Sequence, residues 1–403
     1  MASSMQALEI DADGYYKIGT SADLVEFSTI VNTENQFIKG KLMNDIDMSD
    51  VPNFYPIGEY TDDASCGVGN RAFAGSFDGQ GHIIKNLKVS VDKPQEAGLF
   101  GRCSQATIQN LGLVNVSVVN TMESGGARLG GLIGEAVSTT IMNVFVAGDI
   151  VLSTTHSDTG GIAGEAAGAK LTNCYTTYTT LCAQGTKTNC YEGSDAVAKA
   201  ATGELCYLLG AAFRQNIGED GYPVLDSTHG IVNKIDAAGY ATQYIADTEV
   251  EIPAGVKAYA GKINGDWLTL TEVESKIAAA TPVILEGAEG YYSFMPTTGA
   301  AAVAENDLKG AAEAIAADGT QYVLAEKDGV VGFYQATEGT IAAGKAYLTG
   351  ISAGVKAVTF GTTTSLTPAL SEERETVIYD LSGRRVQKAT KGIYIVNGKK
   401  ILK

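Results

Sequence analysis

Several residue types are scarce in this chain. Of its 403 residues, 8 are proline, 3 are histidine and 1 is tryptophan. With so few histidines and no Cys-x-x-Cys pair, a zinc site is not expected. No run approaches the ~18 consecutive apolar residues of a membrane-spanning helix. Basic residues number 29 against 46 acidic ones, a net charge of −17. Seven of the basic residues fall between Leu381 and Lys403, which has no acid, so residues 1–380 carry −24. Such a surface repels nucleic acid and anionic membrane. The start, Met1 to Gln6, lacks the charged and apolar sections of a secretory signal. The expectation is a cytosolic protein or one whose signal has been removed, and the Met-Ala-Ser-Ser-Met opening favours removal.

Glycine, by contrast, is abundant at 48 residues, and part of it is periodic. Gly98-Leu99-Phe100-Gly101 returns as Gly131-Leu132-Ile133-Gly134 and as Gly161-Ile162-Ala163-Gly164. Behind each copy comes an apolar-x-Asn-apolar run, centred on Asn110, Asn143 and Asn173. Both markers advance by 33 and then 30 residues. A shared step of this size is the mark of a stacked array. The residues around the asparagines are Val, Ile, Leu and Thr in short alternation, which is strand chemistry. One such strand cannot bury its apolar face alone, whereas stacked copies make a continuous core. Asparagines at one place in every coil can then hydrogen-bond along the stack. The plainer reading is that these Gly and Asn residues only make turns.

Around the array the chain has recognisable punctuation. Ser21 or Asp23 is placed to cap a helix with Leu24, Phe27, Ile30 and Val31 on one face. A helix there would cover the open end of the first coil. Lys41 to Met48 reads as a strand projecting Asp45 and Asp47 on one side, with Asp50 nearby. This is a candidate calcium site, or else a solvated face with turn caps. Asp195 to Leu209 has helical spacing, with Val197, Ala201, Leu205 and Leu208 on a face, and is expected to cap the far end. Cys174, Cys182 and Cys190 are spaced by eight, either as a column of small core residues or with a Cys174–Cys190 disulfide between coils.

The segment from about Tyr16 to Ile231 resembles the GLUG-repeat proteins. The resemblance is carried by Tyr16-x-Ile18 with Asp23-Leu24, by Asp45-Ile46-Asp47 and Pro56-Ile57-Gly58, by Phe73-x-Gly75-x-Phe77-Asp78-Gly79-x-Gly81-His82, and by the repeated Gly-Leu-x-Gly. The closing runs Gly203–Leu209 and Arg214–Val224 resemble the same family. Such repeats accompany IgA-specific metallopeptidases and occur in surface proteins of Bacteroidetes and Gram-positive bacteria. The resemblance implies a β-helical stalk or adhesive module. The peptidase's His-Glu-x-x-His is missing, so proteolysis does not carry over.

Residues 236–362 read as a second unit. The run Ser275–Gly287 echoes Gly339–Gly350, Ile277 matching Ile341 at an offset of 64. Asn264-Gly265, Asp318-Gly319 and Asp328-Gly329 separate short Val/Tyr/Phe runs, a hairpin signal that implies a β-sandwich or barrel. The alanine-rich run Ala300–Ala317 is a candidate helix that Gly310 weakens. This unit resembles an accessory module of secreted Bacteroidetes proteins. Residues 363–403, with Tyr379-Asp380-Leu381-Ser382-Gly383-Arg384 and Gly392-Ile393-Tyr394, resemble the C-terminal sorting domain of type IX secretion. Physically they read as two or three strands with Ser-Gly and Asn-Gly turns.

Catalytic motifs are few and poorly supported. Gly350-Ile351-Ser352-Ala353-Gly354 matches a nucleophile elbow, but His82, His156 and His229 all precede the serine. Gly67–Ala72 matches a dinucleotide loop without the helix it needs. Asp149, Asp158 and Lys170 fall near repeat positions without forming a constellation. His82 reads as a turn residue. Trp267, Tyr175–Tyr178 and Tyr291-Tyr292 are candidate sugar platforms, or else ordinary packing.

The expected fold is all-β. A parallel β-helix with short helical caps occupies residues 1–235, a β-sandwich-like unit 236–362 and a small β segment 363–403. The expected protein is secreted or on the cell surface. It is non-enzymatic and binds glycan or a host surface protein, with no catalytic, cofactor or metal residues assigned and no membrane insertion. A carbohydrate-active enzyme, marked by paired carboxylates in a groove, and a passive spacer are the alternatives.

Overall fold

The computed structural model describes residues 8–59, 71–93, 95–122, 128–154, 158–352 and 354–362, with four short strands beyond them. Cys66, Gly67–Asn70, His156, Ser382-Gly383 and Asn397-Gly398 lie outside the described residues. The protein is dominated by strands. No helix among the described residues is long and apolar enough to cross a membrane.

Each Gly-Leu-x-Gly copy leads into two strands. The first copy gives Phe100–Ser104 and Thr107–Asn120, the second Ile133–Val137 and Thr140–Ser153, the third Ala163–Glu165 and Lys170–Thr176. A fourth, shorter turn of chain gives Cys182–Ala183 and Thr186–Glu192. Corresponding strands pair in parallel, one copy directly on the next. Ile108 meets Ile141, which meets Leu171, and Leu111, Val144 and Cys174 form a second column. All six are fully buried in one core cluster with Leu99, Leu132 and Ile162. The stacking that the 33- and 30-residue steps imply is therefore the actual pairing register.

Glycine and asparagine have separate jobs here. None of the six motif glycines has a positive φ, so none is there to supply a left-handed turn. They permit close approach: a methyl on Gly131 would come within 2.4 Å of the Gly161 carbonyl oxygen, and on Gly134 within 2.5 Å of the Ala97 amide nitrogen. The asparagines do the bending. Asn110, Asn143 and Asn173 have φ of 53°, 52° and 52°, the left-handed region that Asn tolerates better than other side chains.

Their amides form a continuous line. Asn143 donates to Asn110 at 3.0 Å and Asn173 to Asn143 at 3.2 Å. The line extends past the three predicted members at both ends. Asn110 donates to Asp78 at 3.2 Å, and Asn189 donates to both Asn173 and the Leu208 carbonyl. Asn143→Leu would leave Asn110 Oδ1 and Asn173 Nδ2 without their partners and force a branched side chain into left-handed backbone. Urea unfolding should show a loss of about 2 kcal/mol.

The ends depart from expectation in detail. Helix α1, Ser21–Thr33, is capped by Thr20, with Asp23 as the reciprocal member of the capping box, rather than by Ser21 or Asp23. It buries Leu24, Phe27 and Val31, and Phe27 packs edge-on against Phe73 and Phe77 of the first coils. The expected strand Lys41–Met48 is broken into Lys39–Leu42 and Ile46–Asp47, because the two pieces pair with different partners, Ser76–Asp78 and Ile83–Lys85. The far helix is two, α2 (Gly193–Thr202) and α3 (Glu204–Leu209), separated by left-handed Gly203. The break resets the phase. Ala196, Ala200, Leu205, Cys206 and Leu209 are buried, while Val197 and Ala201 of the expected face are exposed. These helices cover the side of the sheet, packing with Phe145, Tyr175 and Phe213.

The second unit is a nine-stranded mixed sheet with three small sheets beside it. The echo at offset 64 is a structural duplication. Val283–Gly287 pairs with Tyr240–Gln243 as Ala346–Leu348 pairs with Lys309–Gly310. Ile277 meets Val250 as Ile341 meets Ile315. Each half holds a long hairpin, turning at Asn264-Gly265 and at Asp328-Gly329, and strand Ala357–Thr362 joins the two. The alanine-rich run is not helical; it supplies the short strands Lys309–Gly310 and Ile315–Ala316 to this pattern. Strand Ile231–Ile235 pairs with Gly290–Phe294. At the C-terminus Ile378–Asp380, Arg385–Val386, Ile393–Val396 and Lys399–Leu402 form a four-stranded antiparallel sheet.

Candidate functional site

The densest charge cluster grows out of the glycine motif. The residue after each closing glycine is charged: Arg102, Glu135 and Glu165. Parallel pairing sets them side by side in adjacent strands. Arg102 binds Glu135 at 3.0 Å, and Gln184 of the next turn donates to Glu165 at 2.8 Å. Arg128 enters from the segment before the second motif and joins everything. Its guanidinium contacts Glu96 at 2.8 Å, Glu135 at 3.7 Å and Glu165, and its backbone N–H donates to Glu96 at 2.8 Å.

Glu96 and Glu135 are only 4% and 6% exposed. Burial pushes the Glu96 carboxyl up from 4.5 to about 7, against the pull of Arg128. Burial also opposes the charge on Arg128, but Glu96, Glu135 and Glu165 together outweigh it and raise the guanidinium. The folded chain holds the Glu96 proton more tightly than the unfolded chain does. Its contribution to stability is full below 4.5 and is lost as pH rises to about 7. Comparing the native protein with Glu96→Gln by urea unfolding should show a pH-dependent difference over that window, of order 3 kcal/mol. A difference independent of pH would contradict it. Asp11 behaves oppositely: its Lys41 partner lowers it to about 2, so its contribution is lost on acidification below the usual carboxylate range.

Asp45 and Asp47 do come near the next coil, but protein donors occupy them. Asp45 lies 3.2 Å from His82 Nδ1 and accepts from the Ile83 N–H, and Asp47 accepts from Asn86 and Ser49 and pairs with Lys85. Asp50 is held by Ser21. Among the described residues no group of three or more His, Cys, Asp or Glu is arranged to hold a metal. His82 is thus placed at a turn beside a carboxylate. Lys170 pairs with Thr140, far along the strand from Asp149, and Asp149 is tied to Asn115 through its backbone, so these do not converge. Ser352 accepts from the Val355 N–H in a turn.

The aromatic candidates separate. Tyr175 is fully buried, stacked on Phe145 with centroids 5.3 Å apart, and its hydroxyl donates to the Pro223 carbonyl, so it cannot serve as a sugar platform. Tyr178 meets Thr159, and Tyr291 packs on Tyr207. Trp267 is 51% exposed at its hairpin turn. Cys174 and Cys190 are register partners and are present as free thiols. The neighbouring Cys174 draws the Cys190 thiol below the ordinary thiol range, while burial drives Cys174 up. The Cys174 thiol itself donates to the Ile141 and Thr172 carbonyls.

A cavity of about 480 Å³ lies between the α3 end of the first unit and the second unit. No reading of the sequence pointed to it, because its lining comes from segments more than a hundred residues apart. The charge column had a signal, a charged residue at one fixed place after each motif, but Arg128 had none.

No protein-family model matches the chain. A stretch of 157 residues, 37% of the chain, is 32% identical to halomucin of Haloquadratum walsbyi, and the match spans only 2% of that protein's length. A solved structure from Bacteroides ovatus, named for an immunoglobulin A1 protease, aligns with 45% of this chain and 57% of its own at 21% identity and a TM-score of 0.36.

Proposed function

We propose that this is a secreted or surface-attached binding protein without enzymatic activity, whose N-terminal residues wind as a parallel β-helix and offer its side to glycan or a host surface protein. The observation that carries this reading is the amide line from Asp78 through Asn110, Asn143 and Asn173 to Asn189, with parallel pairing between successive copies. Stacked coils extend a lateral face, and a long face suits several weak contacts at once. The partial similarity to a protein named as a mucin supports a place outside the cell. The resemblance of residues 377–400 to a type IX sorting domain supports export.

The carboxylates that would mark a polysaccharide-cleaving enzyme are close together, since Glu96 and Glu135 contact the same Arg128 nitrogen. Both are buried and ion-paired, which favours a structural role for them. Arrays of glycans and extracellular-matrix proteins, probed with the purified chain, test the reading. Binding to a defined subset is expected. Silence across the panels, or turnover of any polysaccharide, would overturn it.

A further inference from the structure

The cavity between the two units is built like a ligand site. Its lining includes Tyr207, Arg214 and Asn233 from the first unit and Gln243, Tyr244 and Lys345 from the second. Its volume of about 480 Å³ falls within the range of small-molecule pockets. Lys345 Nζ lies 5.6 Å from the centroid of the Tyr207 ring and donates to Asn233 Oδ1 at 3.2 Å. Among the described residues it makes no ion pair. Gln243 is 3% exposed, and its amide oxygen accepts from Asn233, but its Nε2 is buried without a hydrogen-bond partner. Leaving such a donor unmet is costly, and a ligand acceptor would recover that cost.

The frame around these groups is rigid. Tyr244 N–H donates to the Gly344 carbonyl, Gly344 N–H to Ala311, and Ala311 N–H to the Lys345 carbonyl, each within 2.9 Å. The Tyr244 ring lies so close to Gly310 that a methyl there would come within 2.0 Å of it. The duplication adds an independent argument. Lys345 occupies the place that Thr281 fills in the other half, at the same offset of 64, so this half of the fold does not need a lysine there. A chain with −24 over residues 1–380 has nonetheless set a lysine that makes no ion pair among the described residues, together with an arginine, into the lining of this cavity.

We infer that this cavity takes the carboxylate-bearing residue of an acidic glycan, with Lys345 Nζ and Gln243 Nε2 donating to the carboxylate and the sugar ring lying against Tyr207. Alanine and glycine at 311, 312, 343 and 344 leave room for the ring, and the exposed Asp247 can accept from a hydroxyl. The inference rests on the glycan-binding reading and narrows it to acidic sugars.

Isothermal titration of the full chain with methyl glucuronoside, N-acetylneuraminic acid, methyl glucoside and a short alanine peptide with a free C-terminus tests it. One or both acidic sugars should bind at least tenfold more tightly than the neutral glucoside, and their order identifies uronate or sialate as the source. Lys345→Met should lose tenfold or more for the acidic sugar. Ala343→Phe, which fills the cavity without removing an internal bond, should abolish binding. Equal affinity for acidic and neutral sugars, or full affinity in both variants, overturns the proposal, as does a peptide that outcompetes both acids. Glycan-array binding that survives both variants sinks the cavity assignment alone. Binding of free acidic sugar by a protein silent on every array sinks the adhesion reading alone.

Discussion

Arg128→Met is expected to cost about 3 kcal/mol or more, because it leaves buried carboxylates without their shared counter-charge. Arg128 supplies the positive charge at Glu96 and Glu165 and supplements Arg102 at Glu135. Methionine keeps the bulk of the side chain and removes only the charge and its donors. Thermal melting at pH 7 should show a fall of roughly 6–12 °C if the array melts as a unit of ordinary domain size. The deficit should shrink on acidification, since protonation neutralises the stranded carboxyls, and Glu96 starts from a value already lifted to about 7. Adding Glu96→Gln and Glu165→Gln to the same chain should recover much of the loss. Lys17→Met, which breaks the exposed pair with Glu9, should change little. If Arg128→Met melts with the native protein, the charge column is surface decoration and not a joint between coils.

Gly134→Ala should be about as damaging, by about 3 kcal/mol, for a purely steric reason. The added methyl would meet the Ala97 nitrogen at 2.5 Å, the Gly101 oxygen at 2.7 Å and the Arg128 oxygen at 2.8 Å. All three are backbone atoms, so no side chain can rotate aside. Gly221 is the matched control: it lacks a positive φ and has nothing within 4 Å of an added methyl. Gly221→Ala should be neutral in urea unfolding. Gly134→Ala should also raise amide hydrogen exchange in the strands Phe100–Ser104 and Ile133–Val137. A neutral Gly134→Ala would mean that the coils can separate at no cost, contrary to the packing described.

How much of this was legible depends on whether an interaction repeats. The asparagine line and the column of Ile108, Ile141 and Leu171 recur with the same step as the glycines, so periodicity exposes them. The duplication in the second unit shows for the same reason, through Ile277 and Ile341. Asn189 was the near miss: Thr-Asn-Cys-Tyr at 188–191 repeats 172–175, yet the fourth coil is short and lacks the glycine motif. What happens once leaves no period. Arg128 enters from a connecting segment, Thr20 caps α1 because of how the chain arrives, and the face of α2 and α3 is set by the Phe145 and Tyr175 rings they cover. Tyr175 could not be told from a surface aromatic, because in a strand an outward side chain is exposed only if nothing folds back over it. Here the segment with Phe213 and Pro223 does. The cavity is less legible still, since Tyr207 and Lys345 meet only when both units are complete.

The amide line has a direction. Every asparagine side chain hands its hydrogen toward the amino-terminal side, and Asp78, an acceptor only, receives the last one. At the other end Asn189 spends a hydrogen on a main-chain carbonyl of α3. A gene duplication that inserted one whole coil between these two termini would add one link and leave both terminators satisfied. Lengthening ahead of the aspartate would strand a hydrogen-bond donor against nothing. Growth in reach should therefore come in whole-coil increments, from the interior of the array and never from its front.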